Sequence, residues 1–320
     1  MEIYENILAT IGCTPIVKLQ KLIRPTNATV LAKCEFMNPG GSIKDRMALY
    51  MIEKAEREGK LKKGGTIVES TSGNTGIALS IIAAIKGYRC ILTVPIKTSK
   101  EKVIRMEALG AKVVIAAEDV GEDDFRNHHE LAMHIFRNTK DAYFLNQYHS
   151  KYNSEAHYML TGPEILRQTG GKLDFFVSAL GSGGTMSGVG KYLKENIKGI
   201  RNIGVDMIGS AHKNYFNSEK SKINFSTRVE GIGNDFHCKT MDYSILDEIY
   251  QVDDQECFIS ARHLAQREGI LAGGSSGGVI NVACQIAMKA GRNKVVLCIL
   301  SDTGTNYLSK FYSPEWLYYK

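Results

Sequence analysis

The feature that most restricts this chain is an alternation of short apolar, β-rich runs with amphipathic segments of helical period. The runs are Thr29–Lys33, Thr66–Glu69, Cys90–Pro95, Lys112–Ala116, Phe175–Leu180, Ile203–Asp206 and Lys294–Leu300. Between them lie Asp45–Glu58, Thr75–Lys86, Lys100–Leu109, Ser154–Thr169, Met186–Asn196, Asp254–Glu268 and Gly278–Ala290. Such alternation implies a mostly parallel sheet with helices on both faces. The chain has 320 residues, too many for one ordinary core. Two doubly wound α/β domains are therefore expected. The polar stretch Tyr148–Asn153 separates them into residues 1–150 and 151–320, with the active site in the cleft between.

Composition narrows the classes. The net charge of +6 is spread along the chain, and its densest patch, Lys60-Leu61-Lys62-Lys63, is short. A nucleic-acid groove is not expected, whereas an anionic small ligand suits the field. The longest apolar stretch, Ile77 to Ile85, is too short to span a bilayer. The start, Met1 to Asn6, lacks the basic and apolar regions of a signal peptide. The seven cysteines are scattered without a C-x-x-C, so reduced thiols in a cytoplasmic protein are expected. Gly121–Arg137 carries Asp123, Asp124, His128, His129 and His134. It reads as a solvated helix rather than a metal site.

Ligands of parallel sheets sit where strands hand over to helices, and four such loops stand out. Pro39-Gly40-Gly41-Ser42-Ile43-Lys44 delivers a lysine to a helix start. Lysine is disfavoured there by the helix dipole, and a lowered pKa suits Schiff-base chemistry; a surface lysine is the alternative. Glu69-Ser70-Thr71-Ser72-Gly73-Asn74-Thr75-Gly76 gathers hydroxyls, an amide and free N–H groups at a helix N-terminus, an anion site suited to a carboxylate or, more simply, a cap. Gly181-Ser182-Gly183-Gly184-Thr185 follows a strand and suits one phosphate. A dinucleotide site is the competing reading, since Asp206 ends the next strand, but Met186 occupies the place of its third glycine. Gly273-Gly274-Ser275-Ser276-Gly277 holds a serine that binds a ligand or caps the next helix. One cofactor accounts for all four loops. Pyridoxal 5′-phosphate needs a lysine, one phosphate cup, a ring-nitrogen partner and a group near its 3′-oxygen, and its amino-acid substrate adds a carboxylate.

From Ile11-Gly12-Cys13-Thr14-Pro15 to Trp316, the order and spacing of these loops resemble the fold-type II pyridoxal-phosphate enzymes of the cysteine synthase and cystathionine β-synthase family. Gln147-Tyr148, Ala156-His157-Tyr158, Val229 to Phe236, Gly274 and Asn306 to Phe311 make it more similar to the cystathionine β-synthase catalytic core. The haem-binding extension and regulatory domain of longer relatives are expected to be absent. The resemblance implies that Lys44 bonds the cofactor's aldehyde and shuttles the substrate's Cα proton. It implies Asn74 at the 3′-oxygen, Gly181, Ser182, Gly183, Gly184 and Thr185 around the phosphate, and Ser275 at the ring nitrogen. Thr71, Ser72, Thr75, Gln147, Tyr148 and Gly231 would hold the substrate. Asp235 would act on the incoming nucleophile or merely brace its loop. Residues 13–35 would cross to the second domain, and the protein would form a homodimer. A serine acetyltransferase tail is a further partner of such enzymes.

The implied reaction is β-replacement or β-elimination on serine, O-acetylserine or cysteine through an aminoacrylate, making or breaking a Cβ–S bond, with hydrogen sulfide as substrate or product. The alternatives are a cysteine lyase using water, an amine as nucleophile, and a scaffold that binds another enzyme's tail. Three departures stand out: Ser70 in place of proline, as in a relative that makes a diaminopropionate-type precursor, Cys13 in place of Asn, and Ser301 in place of proline.

Overall fold

The computed structural model describes residues 3–23, 28–71, 73–117, 127–219, 223 and 225–318. Among the described residues, ten strands form two sheets. They are β1 (Ile16–Lys18), β2 (Thr29–Cys34), β3 (Thr66–Ser70), β4 (Arg89–Pro95), β5 (Lys112–Ala116), β6 (Ala142–Phe144), β7 (Phe175–Ala179), β8 (Arg201–Met207), β9 (Glu248–Val252) and β10 (Val295–Leu300). The smaller sheet runs β5-β4-β3-β6, all parallel. The larger runs β1-β2-β10-β7-β8-β9, parallel except for the β1–β2 pair. All seven expected strands are present within two residues at each end. The three additions are short or carry charges that hide their period, as Glu248 and Gln251 do in β9.

Residues 16–34 thus sit in the sheet of the C-terminal strands, where β2 pairs with β10 from Thr29↔Val295 to Cys34↔Leu300. Each sheet has its own apolar core. Ile67, Leu92 and Val94 anchor the smaller one, and Val177, Val205 and Val296 the larger. We propose that these cores define the two domains, 1–150 and 151–320, with the 13–35 crossing. The helix Lys44–Arg57 packs Met47, Ala48 and Met51 into the smaller core, while Ile43, one residue before it, packs with Ile165 and Phe176 beneath the larger sheet. Lys44 is therefore the residue at which the chain passes from one core to the other.

The segment expected as one helix, Ser154–Thr169, is three pieces: Lys151–Ala156, a wide π turn His157–Thr161, and Gly162–Thr169. Pro163 has no N–H to donate to the turn below it, and the wider turn absorbs the loss, with Gly162 N–H reaching His157 O. Two helices start earlier than expected, at Gly184 and Gly274, because the loop glycines themselves form the first turns. The helix His128–Arg137 is half-buried, with Ala132 in the interior, rather than freely solvated; residues 121–126 of that stretch lie outside the described residues. The seven cysteines are free thiols. No helix among the described residues is long and apolar enough to cross a membrane.

Candidate active site

Lys44 reaches the cleft through a tight turn. Gly41 takes φ +77, which favours glycine, and a Cβ on Gly40 would lie 2.4 Å from Asp45 Oδ1. Asp45 Oδ2 accepts the Gly40 N–H at 2.5 Å and so locks the turn. The Lys44 ammonium makes no hydrogen bond or ion pair with a described residue. Burial lowers its pKa from the ordinary lysine value; Asp302 opposes this and Lys102 adds to it. An amine that loses its proton more readily is what a nucleophile or general base requires.

The loop after β7 shares a small polar cavity with Lys44, lined also by Ser178, Gly181, Ser182, Gly183, Thr185, Gly231 and Ser301. Gly183 takes φ +83. No backbone N–H from Ser182 to Thr185 finds an acceptor among the described residues, so several donors converge at a helix N-terminus. Packing forbids side chains here, since a Cβ on Gly184 would lie 2.1 Å from Asn153 Oδ1 and one on Gly181 2.6 Å from Gly231 O. The Gly181 carbonyl accepts from Asn234 Nδ2 (2.7 Å) and lies 2.9 Å from His212 Nε2. The π turn brings His157 to Thr185, Nε2 to Oγ1 3.3 Å, with its Nδ1 3.0 Å from Thr161 Oγ1. Burial, then Lys44 and Arg46, holds the His157 ring neutral.

The loop after β3 builds a second cluster of hydroxyl and amide groups. Gly73 takes φ +120 and donates to Thr71 Oγ1 at 3.0 Å. Thr75 Oγ1 donates to Gln147 Oε1 at 2.7 Å, and Gln147 Nε2 donates to Ser70 O at 3.2 Å. Ser72 lies outside the described residues. Beneath this group Glu69 accepts the Asn146 N–H at 2.7 Å. Burial pushes the Glu69 carboxyl up to about 8, the backbone N–H bonds opposing it only in part. Nothing in the sequence marked Glu69 beyond its place at a strand end.

Asn74 Nδ2 donates to Asp302 Oδ2 at 2.8 Å, just past the end of β10. Ser275 is buried in the first turn of the helix Gly274–Ala290. That turn is tied to the cavity wall, because Ser276 Oγ accepts the Ser301 N–H at 3.0 Å and Ser301 O accepts from Ile43 N at 2.9 Å. A proline at position 301 could not make the first bond. Cys13 takes φ +48, a region that Asn enters more readily. Ser210 caps the helix Ala211–Asn217, and Asp206 Oδ2 accepts the Lys213 N–H in its first turn at 3.1 Å; Asp206 is fully buried, which keeps it from a dinucleotide ribose. Tyr148 packs edge-on against Phe236, ring centres 5.2 Å apart. Asp235 is exposed on the neighbouring loop, and its charge acts on Tyr148 and on His128.

A family model described as "pyridoxal-phosphate dependent enzyme" matches residues 7–302. The chain belongs to this family. It is 42% identical over 325 residues to cystathionine beta-synthase of Mus musculus, which covers all of this chain and 57% of that protein. It is 40% identical over 307 residues to cysteine synthase of Staphylococcus aureus, covering 95% of this chain and 96% of the other. The chain spans less than three fifths of the first curated relatives it matches. The crystal structure of O-ureido-L-serine synthase superposes with a TM-score of 0.89 at 33% identity, over 99% of this chain and all of that one. The site fits the family's cofactor on its own chemistry: a lysine of lowered pKa, unpaired among the described residues, beside a glycine cradle whose N–H groups find no acceptor among those residues and match one phosphate.

Proposed function

We propose that the protein is a β-replacement or β-elimination enzyme that uses pyridoxal phosphate to make or break a Cβ–S bond on serine, O-acetylserine or cysteine. The observation that carries this reading is the unpaired amine of Lys44 in one cavity with the Gly181–Thr185 cradle. Bound there, the cofactor supplies an electron sink for the pair left at the substrate's Cα. Lys44 takes the Cα proton and returns it, a task its lowered pKa suits. Gly181, Ser182, Gly183, Gly184 and Thr185 hold the phosphate, with neutral His157 orienting the Thr185 hydroxyl. Asn74 faces the 3′-oxygen. Ser275, a neutral hydroxyl, faces the ring nitrogen and limits positive charge there. Thr71, Thr75 and Gln147 bind the substrate carboxylate together with Ser72, the Thr75 hydroxyl turning from Gln147 to the ligand. Tyr148 and Gly231 close over the substrate, and Asp235 takes the proton of the incoming nucleophile. The protein acts as a cytoplasmic homodimer on a free amino acid, and the same cleft would take a serine acetyltransferase tail.

Ser70 favours a second reading, in which an amine or another non-thiol group adds at Cβ. The solved neighbour supports it, because a mutant of that enzyme holds O-ureido-L-serine. Product analysis with serine, O-acetylserine and cysteine, each with and without homocysteine, sulfide or an amine, decides between them. Sulfur-containing products or released sulfide support the first reading; turnover only with an amine acceptor supports the second. Asp235→Asn should release sulfide from cysteine once per site and then stall. Steady release at the parent rate would remove Asp235 from the second half of the reaction.

A further inference from the structure

Asn74 stands in a hydrogen-bond chain whose two ends have fixed polarity. At one end Arg105, which can only donate, gives Nη1–H to Asn306 Oδ1 at 2.6 Å. That fixes the Asn306 amide, whose Nδ2 then donates to Asn74 Oδ1 at 3.3 Å. At the other end the Asp302 carboxylate accepts from Asn74 Nδ2 at 2.8 Å. Asp302 is held in turn by the Tyr307 hydroxyl, which donates to the same Oδ2 at 2.6 Å. Burial, then the charge of Asp302, keeps the Tyr307 proton in place. Lys102, fully buried, donates to Tyr307 Oη at 2.8 Å and pairs with Glu230 at 2.8 Å. Reversing the Asn74 amide would set its oxygen against a carboxylate and its NH₂ against another NH₂. The donor-only and acceptor-only ends therefore permit one orientation. In that orientation Asn74 has spent its oxygen, and its Nδ2, bonded to Asp302 and close to the Tyr307 hydroxyl, is left as a donor only. Arg105 also donates to Gly40 O at 3.0 Å, which ties the chain to the turn that carries Lys44.

We propose that Arg105 and Asp302, acting through Asn306, Tyr307 and Lys102, are positioning residues that fix Asn74 as a hydrogen-bond donor toward the cleft and thereby select the anionic form of the cofactor's 3′-oxygen. The inference rests on the proposed place of Asn74 beside that oxygen. A donor at this point favours the oxygen without its proton, and the proton then resides on the nitrogen contributed by Lys44. The bound cofactor should absorb mainly in its long-wavelength band. With the amide reversed, the oxygen would keep its proton and the band would move to the near ultraviolet.

The test uses the purified protein loaded with pyridoxal phosphate, its absorption spectrum and the cofactor dissociation constant. The parent should show the long-wavelength band. Asp302→Asn and Arg105→Met should each lower the ratio of long- to short-wavelength absorbance at least roughly ten-fold, the worth of one hydrogen bond to a charged group. Lys310→Met, which touches Glu230 outside the chain, should leave the ratio unchanged. Arg105 is only partly buried, so its variant carries the test if Asp302→Asn does not fold. A parent that absorbs mainly in the near ultraviolet, or an Arg105→Met ratio equal to the parent's, overturns the proposal. A parent that binds no cofactor overturns the functional reading itself and this inference with it.

Discussion

Lys44 and Lys102 are both drawn into the interior beside the same cleft, and their surroundings differ in kind. Lys102 Nζ is saturated: it pairs with Glu230, donates to Tyr307 and lies 4.6 Å from that ring's centre. Its stem packs against Gly73, where a Cβ would lie 2.4 Å from Lys102 Cδ. Lys44 has been desolvated without a partner among the described residues, and the charges of Asp302 and Lys102 act on it in opposite senses. A buried cation with matched anions holds structure together. A buried amine with none is set up for covalent and proton chemistry. A second saturated cluster makes the same point at the base of Lys44's helix. Arg46 binds Glu35 at 2.7 Å and Glu164 at 2.7 Å, and Lys33 binds Glu164 at 2.5 Å, all buried. It ties the helix that carries Lys44, two positions beyond the lysine, to the end of β2 and to the helix Gly162–Thr169.

The comparison breaks most sharply at Lys44. Lys44→Ala should lower turnover by roughly 10⁴-fold, the upper range for a lost acid–base group, while the melting temperature stays close to the parent's. Equal loss of folding stability would place Lys44 with the structural lysines. Lys102→Met should show the reverse pattern: unfolding by denaturant should reveal a loss of ~3 kcal/mol, because Glu230 keeps only Lys310. The same variant sharpens the link between the two amines through pH. Cofactor loading requires neutral Lys44 and so rises as pH passes through its pKa. Lys102 lowers that pKa, so Lys102→Met should move the loading midpoint upward. Asp302 raises it, so Asp302→Asn should move the midpoint downward. Shifts of the same sign in both variants would contradict the assignment. The smallest effect is expected furthest from either amine. Gln147→Ala should raise KM roughly ten-fold for every amino-acid substrate alike, because a carboxylate contact is common to all. An increase confined to one substrate would put Gln147 elsewhere.

How much of this could be read from the chain follows the same division. The four loops were legible because glycines and hydroxyls cluster within a few positions after a strand, and the parallel architecture was legible from the alternation of periods. Lys102 was not, because in Lys100-Glu101-Lys102 it has the look of a solvated helix face, and its partners stand at 230 and 307. Asp302 and Asn306 meet Asn74 from equally remote positions, and Arg105 reaches it only through Asn306. Glu69 ends a strand and His157 stands in one of the runs that carry the resemblance, but neither had a role assigned, and only burial beside the loops sets their protonation apart. The break in the helix at His157 had a visible cause in Pro163, but its consequence, bringing a ring to Thr185, required the helix Gly184–Asn196 to be in place.

The central claim is that Lys44, and not its saturated neighbour, forms the covalent bond to the cofactor. Borohydride reduction of the protein loaded with pyridoxal phosphate, followed by protease digestion and mass spectrometry, reads this directly. The account predicts one pyridoxyl adduct per chain, on the peptide containing Lys44, with Lys102 unmodified. An adduct on Lys102, or a loaded protein that yields no adduct on Lys44, would contradict it.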